Sequence, residues 1–143
     1  MSLEKAGRIA QRWVLQAKDD LAAATVLAAH KKYAQACFHC QQSGEKMMKA
    51  VWFSLGEDPW GHSIFNLIID LKNDNIRESL EAVRLQALLL DKLYIPTRYP
   101  NGLPDLVPMD AYGQNDFDTA LKALEDIIRL CESIIPQSNE NPK

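Results

Sequence analysis

The sequence predicts an all-α fold, an up-and-down bundle of four long helices plus one short helix. Two observations carry this reading. Apolar residues recur at about 100° per residue through four long segments, the spacing of an amphipathic helix, and the period-two alternation of strands is absent throughout. No internal repeat is visible. With 143 residues, 47% hydrophobic and 24% charged, the chain is expected to bury about two thirds of its unfolded surface around one core. Residues 1–136 read as a single helical domain and 137–143 as a frayed polar tail.

The first helix, Glu4 to about Ala29, contains no Pro and only Gly7, and Ile9, Trp13, Ala17, Ala24 and Leu27 recur at helical spacing. Asp20 shares their sector, so a carboxylate points toward the core or a groove. His30, Lys31 and Lys32 close the helix with charge suited to the negative end of its dipole. The central helix runs from Tyr33 to Leu55 and stops at Gly56; the EDPWG run that follows is a turn, with Trp60 as an apolar plug. A short helix from about Ser63 carries Ile64, Leu67, Ile68 and Leu71 and ends near Asp74. A fourth, from Asn75 as N-cap to about Leu93, places Ile76, Leu80, Val83, Ala87, Leu90 and Tyr94 on its core face, with Arg84 and Asp91 on the flank.

From Tyr94 to Gly113 the chain carries Pro96, Pro100, Pro104 and Pro108, which forbid a regular helix or a central strand. A loop this long inside a compact domain is usually functional, and this one mixes aromatics with Arg98. The last helix is expected to start at Asn115 or Asp116 and to run to Ile135, with Phe117, Leu121, Leu124, Ile128, Cys131 and Ile135 inward and Pro136 as its stop.

A net charge of −3 and a pI near 5.6 exclude nucleic-acid binding driven by overall charge and leave room only for a local basic patch. No apolar run is long enough to span a bilayer, and the N-terminal residues lack a signal-peptide apolar segment, so the chain reads as cytoplasmic, with no membrane partner. Cys37, Cys40 and Cys131 make no even disulfide framework and are expected as reduced thiols. The C-x-x-C spacing of Cys37 and Cys40 lies inside a predicted helix without a second pair, which makes them small core residues rather than zinc or redox ligands. No Gly-rich phosphate loop or H-E-x-x-H run occurs, and neither a metal site nor a cofactor is expected.

The central helix holds the main chemical clue. Ala34, Phe38, Gln41, Glu45, Met48 and Trp52 fall in one narrow sector, so Gln41 and Glu45 stand where a core-facing helix should be apolar. A buried carboxylate without a partner costs several kcal/mol, and the sequence must supply a donor. Lys49, four residues on, would be a helix-surface pair. Arg98, held between Pro96 and Pro100, is the candidate donor from another element, with Tyr94 and Tyr99 adding hydroxyls and Asp20 and Gln41 acceptors. His39 is expected on the solvent flank of its helix. His62 is expected to cap the short helix or to pack on Trp60.

Four stretches together resemble the HEPN domain family of prokaryotes and higher eukaryotes: WVLQAKDDLAAA from Trp13 to Ala24, YAQACFHCQQSGEKMMKA from Tyr33 to Ala50, HSIFNL from His62 to Leu67, and YIPTRYP from Tyr94 to Pro100. The resemblance covers nearly the whole chain. It implies a helical bundle that forms a homodimer, with the polar residues of the second helix and of the loop after the fourth near a groove at the interface. Many members look like metal-independent ribonucleases that use an Arg, four to six residues, then a His, aided by a Glu-x-x-x-Lys/Arg on the second helix. Glu45 and Lys49 match the helper motif and Arg98 matches the Arg, but Leu103, Pro104 and Asp105 stand where the histidine belongs. Loss of that imidazole removes a contribution of about 10²- to 10⁴-fold. The resemblance therefore implies a non-catalytic module that binds a nucleotide, RNA or a small nucleotidyltransferase partner through Asp20, Gln41, Glu45, Lys49, Tyr94, Arg98 and Tyr99. The alternative it leaves open is an endoribonuclease toxin of a toxin-antitoxin pair, in which His62 or a partner's group replaces the missing histidine beside Arg98, Glu45 and Lys49.

Overall fold

A computed structural model describes residues 2–137 of the chain, and among the described residues there are helices and turns but no strand. The tail residues 138–143 lie outside the described part. Helix α1 spans Leu3–Ala29 and α2 spans Tyr33–Ser54; the short α3 is Ile64–Ile69. The expected fourth helix is divided into α4, Asp74–Leu80, and α5, Arg84–Asp91, by a 3-10 turn over Glu81–Val83. Its cap is Asn73 rather than Asn75: the Asn73 side chain accepts from the Ile76 amide at 3.0 Å. The proline-rich segment is not free of helix either, because Pro108 opens a one-turn α6, Pro108–Ala111, at the first helical position, where its missing N–H costs nothing. The last helix, α7, spans Gln114–Ile134, and its Gly113 amide donates to the Asp116 carboxylate at 2.8 Å.

Helix α2 is the axis of the bundle and packs against α1, α3, α5, α6 and α7. Its seam with α1 differs from the expected one. The buried α1 residues are Ala6, Ala10, Val14, Ala17, Asp20, Ala24 and Ala28, while Ile9, Trp13 and Leu27 are only partly buried on the flanks. Small side chains let the two backbones approach, and the larger ones close the seam from its sides. The Ser43 hydroxyl donates across the seam to the Ala17 carbonyl at 2.6 Å. On the opposite face Gly44 meets Ile64, Leu90 and Leu124, where a Cβ would stand 2.9 Å from the Ile64 Cδ1. The Trp52 indole donates to the Leu67 carbonyl at 2.9 Å and fixes α3 on α2. Trp60 is no plug; it is 91% exposed.

The α1–α2 turn is a Schellman motif: the Lys32 amide donates to the Leu27 carbonyl at 2.8 Å and the Lys31 amide to the Ala28 carbonyl at 3.0 Å. Lys31 occupies the left-handed position, φ 61°, where Gly is preferred. Lys31→Gly is therefore expected to raise the unfolding free energy by up to about 1 kcal/mol in urea titrations; a clear loss of stability would show that the lysine side chain itself supports the turn.

Cys37, Cys40 and Cys131 are free and fully buried, as expected for core residues. Burial pushes each thiol from an ordinary value of 9.0 up to about 12, with Asp116 adding to the shift at Cys37, Cys37 and Glu125 at Cys40, and Glu132 at Cys131. The folded value is raised, so this contribution to stability is complete below pH 9.0 and is lost as the pH climbs toward 12. The native protein is expected to resist a thiol-specific disulfide reagent at mildly alkaline pH and to react fully in denaturant. Rapid native labelling would contradict the packing.

Candidate functional site

Glu45 lies in the middle of α2 and is 3% exposed. Its hydrogen-bond donors are Lys49, Nζ to Oε2 at 3.0 Å, and Gln41, Nε2 to Oε1 at 3.5 Å, while His62 Nδ1 lies 3.4 Å from Oε1 without a hydrogen bond between them. Arg98 is not among them. The expectation that Arg98 neutralises Glu45 is corrected by the loop's course: Arg98 Nε donates to the Tyr94 carbonyl one turn back at 2.9 Å. Its guanidinium carbon sits 4.3 Å from the centre of the Phe38 ring, 4.5 Å from Tyr94 and 5.1 Å from Tyr99. No carboxylate of the described residues lies within 4.0 Å of it. Three ring faces hold the cation without cancelling its charge.

His62 is brought to the same place from the segment before α3. Gln41 Nε2 donates to its carbonyl at 3.1 Å, and its ring stacks on Tyr94 with centroids 5.2 Å apart and planes 15° from parallel. Neither capping nor Trp60 engages it; the cap of α3 is Ser63, whose hydroxyl accepts from the Asn66 amide at 3.0 Å. Asp91 clamps this corner, accepting from the Ser63 hydroxyl at 2.7 Å and from the Ile64 and Phe65 amides at 2.8 and 3.0 Å. An imidazole therefore does stand close to Arg98, one ring away, although no histidine follows Arg98 at the family's spacing.

Asp20, 7% exposed, belongs to the adjoining stretch. Lys46 Nζ reaches its Oδ2 at 2.6 Å, and His39 Nδ1 lies 3.5 Å from its Oδ1, off the hydrogen-bonding direction and without another partner among the described residues. His39 is thus half-buried against α1 rather than on the solvent flank, and it meets Phe38 edge-on at 5.7 Å. A continuous strip results: Asp20 with Lys46 and His39, then Phe38, Arg98, Tyr94, His62, and Glu45 with Lys49, whose ammonium ends over Trp13 at 5.9 Å. Of the expected site residues, Asp20, Glu45, Lys49, Tyr94 and Arg98 are members of this strip, Gln41 borders it through Glu45, and Tyr99 borders it through the Arg98 guanidinium. Phe38 shares the sector of Glu45 by helical period; Lys46 and His39 are additions that period alone could not place, because it does not fix how α1 is rotated against α2.

The fold and this strip define a helical-bundle module with an unneutralised cation among aromatic rings. The chain belongs to the HEPN domain family, whose model matches residues 10–134. It is similar to TT1696 from Thermus thermophilus, at 34% identity over 87% of this chain and 97% of that one, with a TM-score of 0.80. It is also similar to ST0689, an archaeal HEPN homologue, at 30% identity over 89% and 98% of the two chains with a TM-score of 0.73. A HEPN domain protein of Thermotoga maritima gives 30% identity, 86% and 96% coverage and a TM-score of 0.63. No curated protein gives a significant match.

Removing one partner of a buried pair leaves the other uncompensated, so Lys49→Met is expected to cost about 3 kcal/mol. His62→Ala, whose side chain is 62% exposed, should cost no more than about 1 kcal/mol, and Arg98→Ala about 1 kcal/mol from lost ring contacts. Urea unfolding of the three variants gives the order, and Arg98→Ala as the costliest would reinstate Arg98 as the donor to Glu45.

Proposed function

We propose that the protein is a homodimeric HEPN module that binds single-stranded RNA or a nucleotide along the strip, with Arg98 meeting phosphate and Tyr94 and Tyr99 meeting bases, and that it leaves the bound strand intact. The observation that carries this reading is the state of Arg98. A structural arginine is consumed by a carboxylate, whereas this one keeps its charge for an incoming anion and is oriented by rings. The homodimer is supported by apolar side chains exposed on the loop that carries Arg98: Ile95 at 45%, Tyr99 at 48% and Leu106 at 50%. No helix of the described residues is long and apolar enough to cross a membrane.

A second reading has one observation in its favour. His62 sits beside Glu45 and on Tyr94, next to the cation, which supplies from another element the acid-base group that the linear motif lacks. Under that reading the protein is a metal-independent endoribonuclease.

Purified protein incubated with labelled single-stranded RNA, at stated salt and without added metal, is expected to retard the RNA without cutting it, and Arg98→Ala is expected to lose about tenfold or more in affinity. Cutting that disappears in both Arg98→Ala and His62→Ala establishes the ribonuclease instead. Neither retardation nor cutting moves the assignment to a protein partner such as a small nucleotidyltransferase.

A further inference from the structure

Two surface features outside the strip match each other in charge and polarity. The first is a cavity of about 540 Å³ between the α1–α2 turn and the Arg98 loop, lined by Lys31, Lys32, Tyr33, Val107, Pro108 and Met109 among others. Its volume is ample for one large side chain. Lys31 and Lys32 make no ion pair among the described residues, and no carboxylate lines the cavity. Its apolar wall is open to water, with Met109 78% exposed, and the exposed Leu106 continues that wall next to Val107. The second feature is the turn between α2 and α3, residues 57–61, which carries Glu57, Asp58 and Trp60. Asp58 makes no ion pair among the described residues, and Glu57 reaches only Lys72, at 3.9 Å. Trp60 is 91% exposed, more than any other large apolar side chain of the described residues. The turn is pinned to α2 at both ends: the Glu57 amide donates to the Trp52 carbonyl at 3.1 Å, and Gln41 Nε2 donates to the His62 carbonyl at 3.1 Å. An indole left in water forgoes its burial, and a pinned turn presents it with little freedom left to lose on contact.

We propose that the Trp60 turn of one copy of this chain docks in the Lys31–Lys32 cavity of a second copy, with the indole against Met109, Val107 and Tyr33 and the Glu57 and Asp58 carboxylates on the two lysines. An aromatic anchor flanked by acids is the complement of an apolar cavity flanked by unpaired cations. The turn does not fill the cavity of its own chain, where Trp60 stays exposed. Turn and cavity are present on every copy, so a two-fold pair makes the contact twice and closes on itself, with no free half left to add a third copy. A soft thioether and an aromatic ring are good partners for an indole. This contact rests on the homodimer of the RNA-binding reading and names the surfaces that join the two copies, without drawing on the ligand.

Sedimentation of the full chain, without RNA, tests the contact through a charge exchange. Glu57→Lys with Asp58→Lys makes the turn basic, and Lys31→Glu with Lys32→Glu makes the cavity acidic. Each double variant alone opposes like charges at both contacts, and its dimer is expected to weaken by about tenfold or more. In an equimolar mixture the basic turn meets the acidic cavity and the unaltered turn meets the unaltered cavity, so a mixed dimer of near wild-type affinity is expected. A variant that merely fails to fold cannot regain a dimer on mixing. Trp60→Ala is expected to keep the wild-type unfolding midpoint and to weaken the dimer by about tenfold or more. A wild-type dimer that Trp60→Ala or either double variant leaves unchanged, or double variants that stay monomeric when mixed, overturns the contact and leaves the homodimer to another surface. A wild type that stays monomeric at about 100 µM overturns the contact and the homodimer together. RNA retardation by the wild type is measured separately: a dimer that obeys the charge exchange but never retards RNA keeps the contact and removes the strip.

Discussion

A carboxylate in the middle of the central helix governs this structure. Glu45 stands on the helix that touches nearly every other, 3% exposed, where an unpaired charge would cost several kcal/mol. Two groups of its own helix answer it, one turn on either side: Lys49 and Gln41. His62 comes up beside it from the next segment, Nδ1 at 3.4 Å from Oε1, and Gln41 donates to the His62 carbonyl as well. Neutralising Glu45 thus also fixes where the chain goes after α2. Ion pairs of this depth seldom add net stability over apolar residues of the same volume, so the arrangement is better understood as setting one geometry at the corner where α2, α3 and the Arg98 loop meet.

That economy has a consequence for Arg98. Asp20, the other carboxylate on the seam, is met by Lys46, again from α2. With both buried acids answered by lysines of one helix, the loop arginine has no structural charge to balance. Aromatic faces attract a guanidinium by about 0.5–2 kcal/mol through their quadrupole, enough to fix its orientation, yet they carry no net charge to cancel its field. A carboxylate partner would have held the arginine more tightly and silenced it.

The sequence exposed the problem at Glu45 but not its solution. A polar residue in an apolar stripe is visible from period alone, because period gives the angle of a residue about its own helix. The donor depends on how neighbouring elements are rotated and where their connections run, which period does not carry. Arg98 was the attractive donor because prolines on either side hold it rigid, but those same turns direct it back onto Tyr94. Lys49 reads as a surface pair only while the helix is considered alone. The α1 seam misleads differently: Ala17, Asp20 and Ala24 of the expected stripe are buried, but hydrophobicity also favours Trp13 and Leu27 as core, whereas close helix contact selects Ala6, Ala10 and Ala28. Asn73 and Asn75 are both acceptable caps, and local sequence does not choose between them. The four-helix pattern itself was legible because each long stripe keeps its phase for several turns; even the interruption at Glu81–Val83 leaves Leu80, Val83, Ala87 and Leu90 on one face.

The missing histidine shows the same limit in a form that bears on chemistry. A fixed spacing between an arginine and a histidine is one way to bring a guanidinium and an imidazole to one phosphate; contact through a shared ring is another. Tyr94 touches both His62 and Arg98 here, so one ring joins the two groups even though they come from different elements. Glu45 Oε1 lies 3.4 Å from Nδ1 of that imidazole. An acceptor nitrogen is a base only within about 3 Å of the hydroxyl it deprotonates. The two proposed readings, a strand held or a strand cut, therefore differ in where Arg98 would seat a phosphate relative to His62.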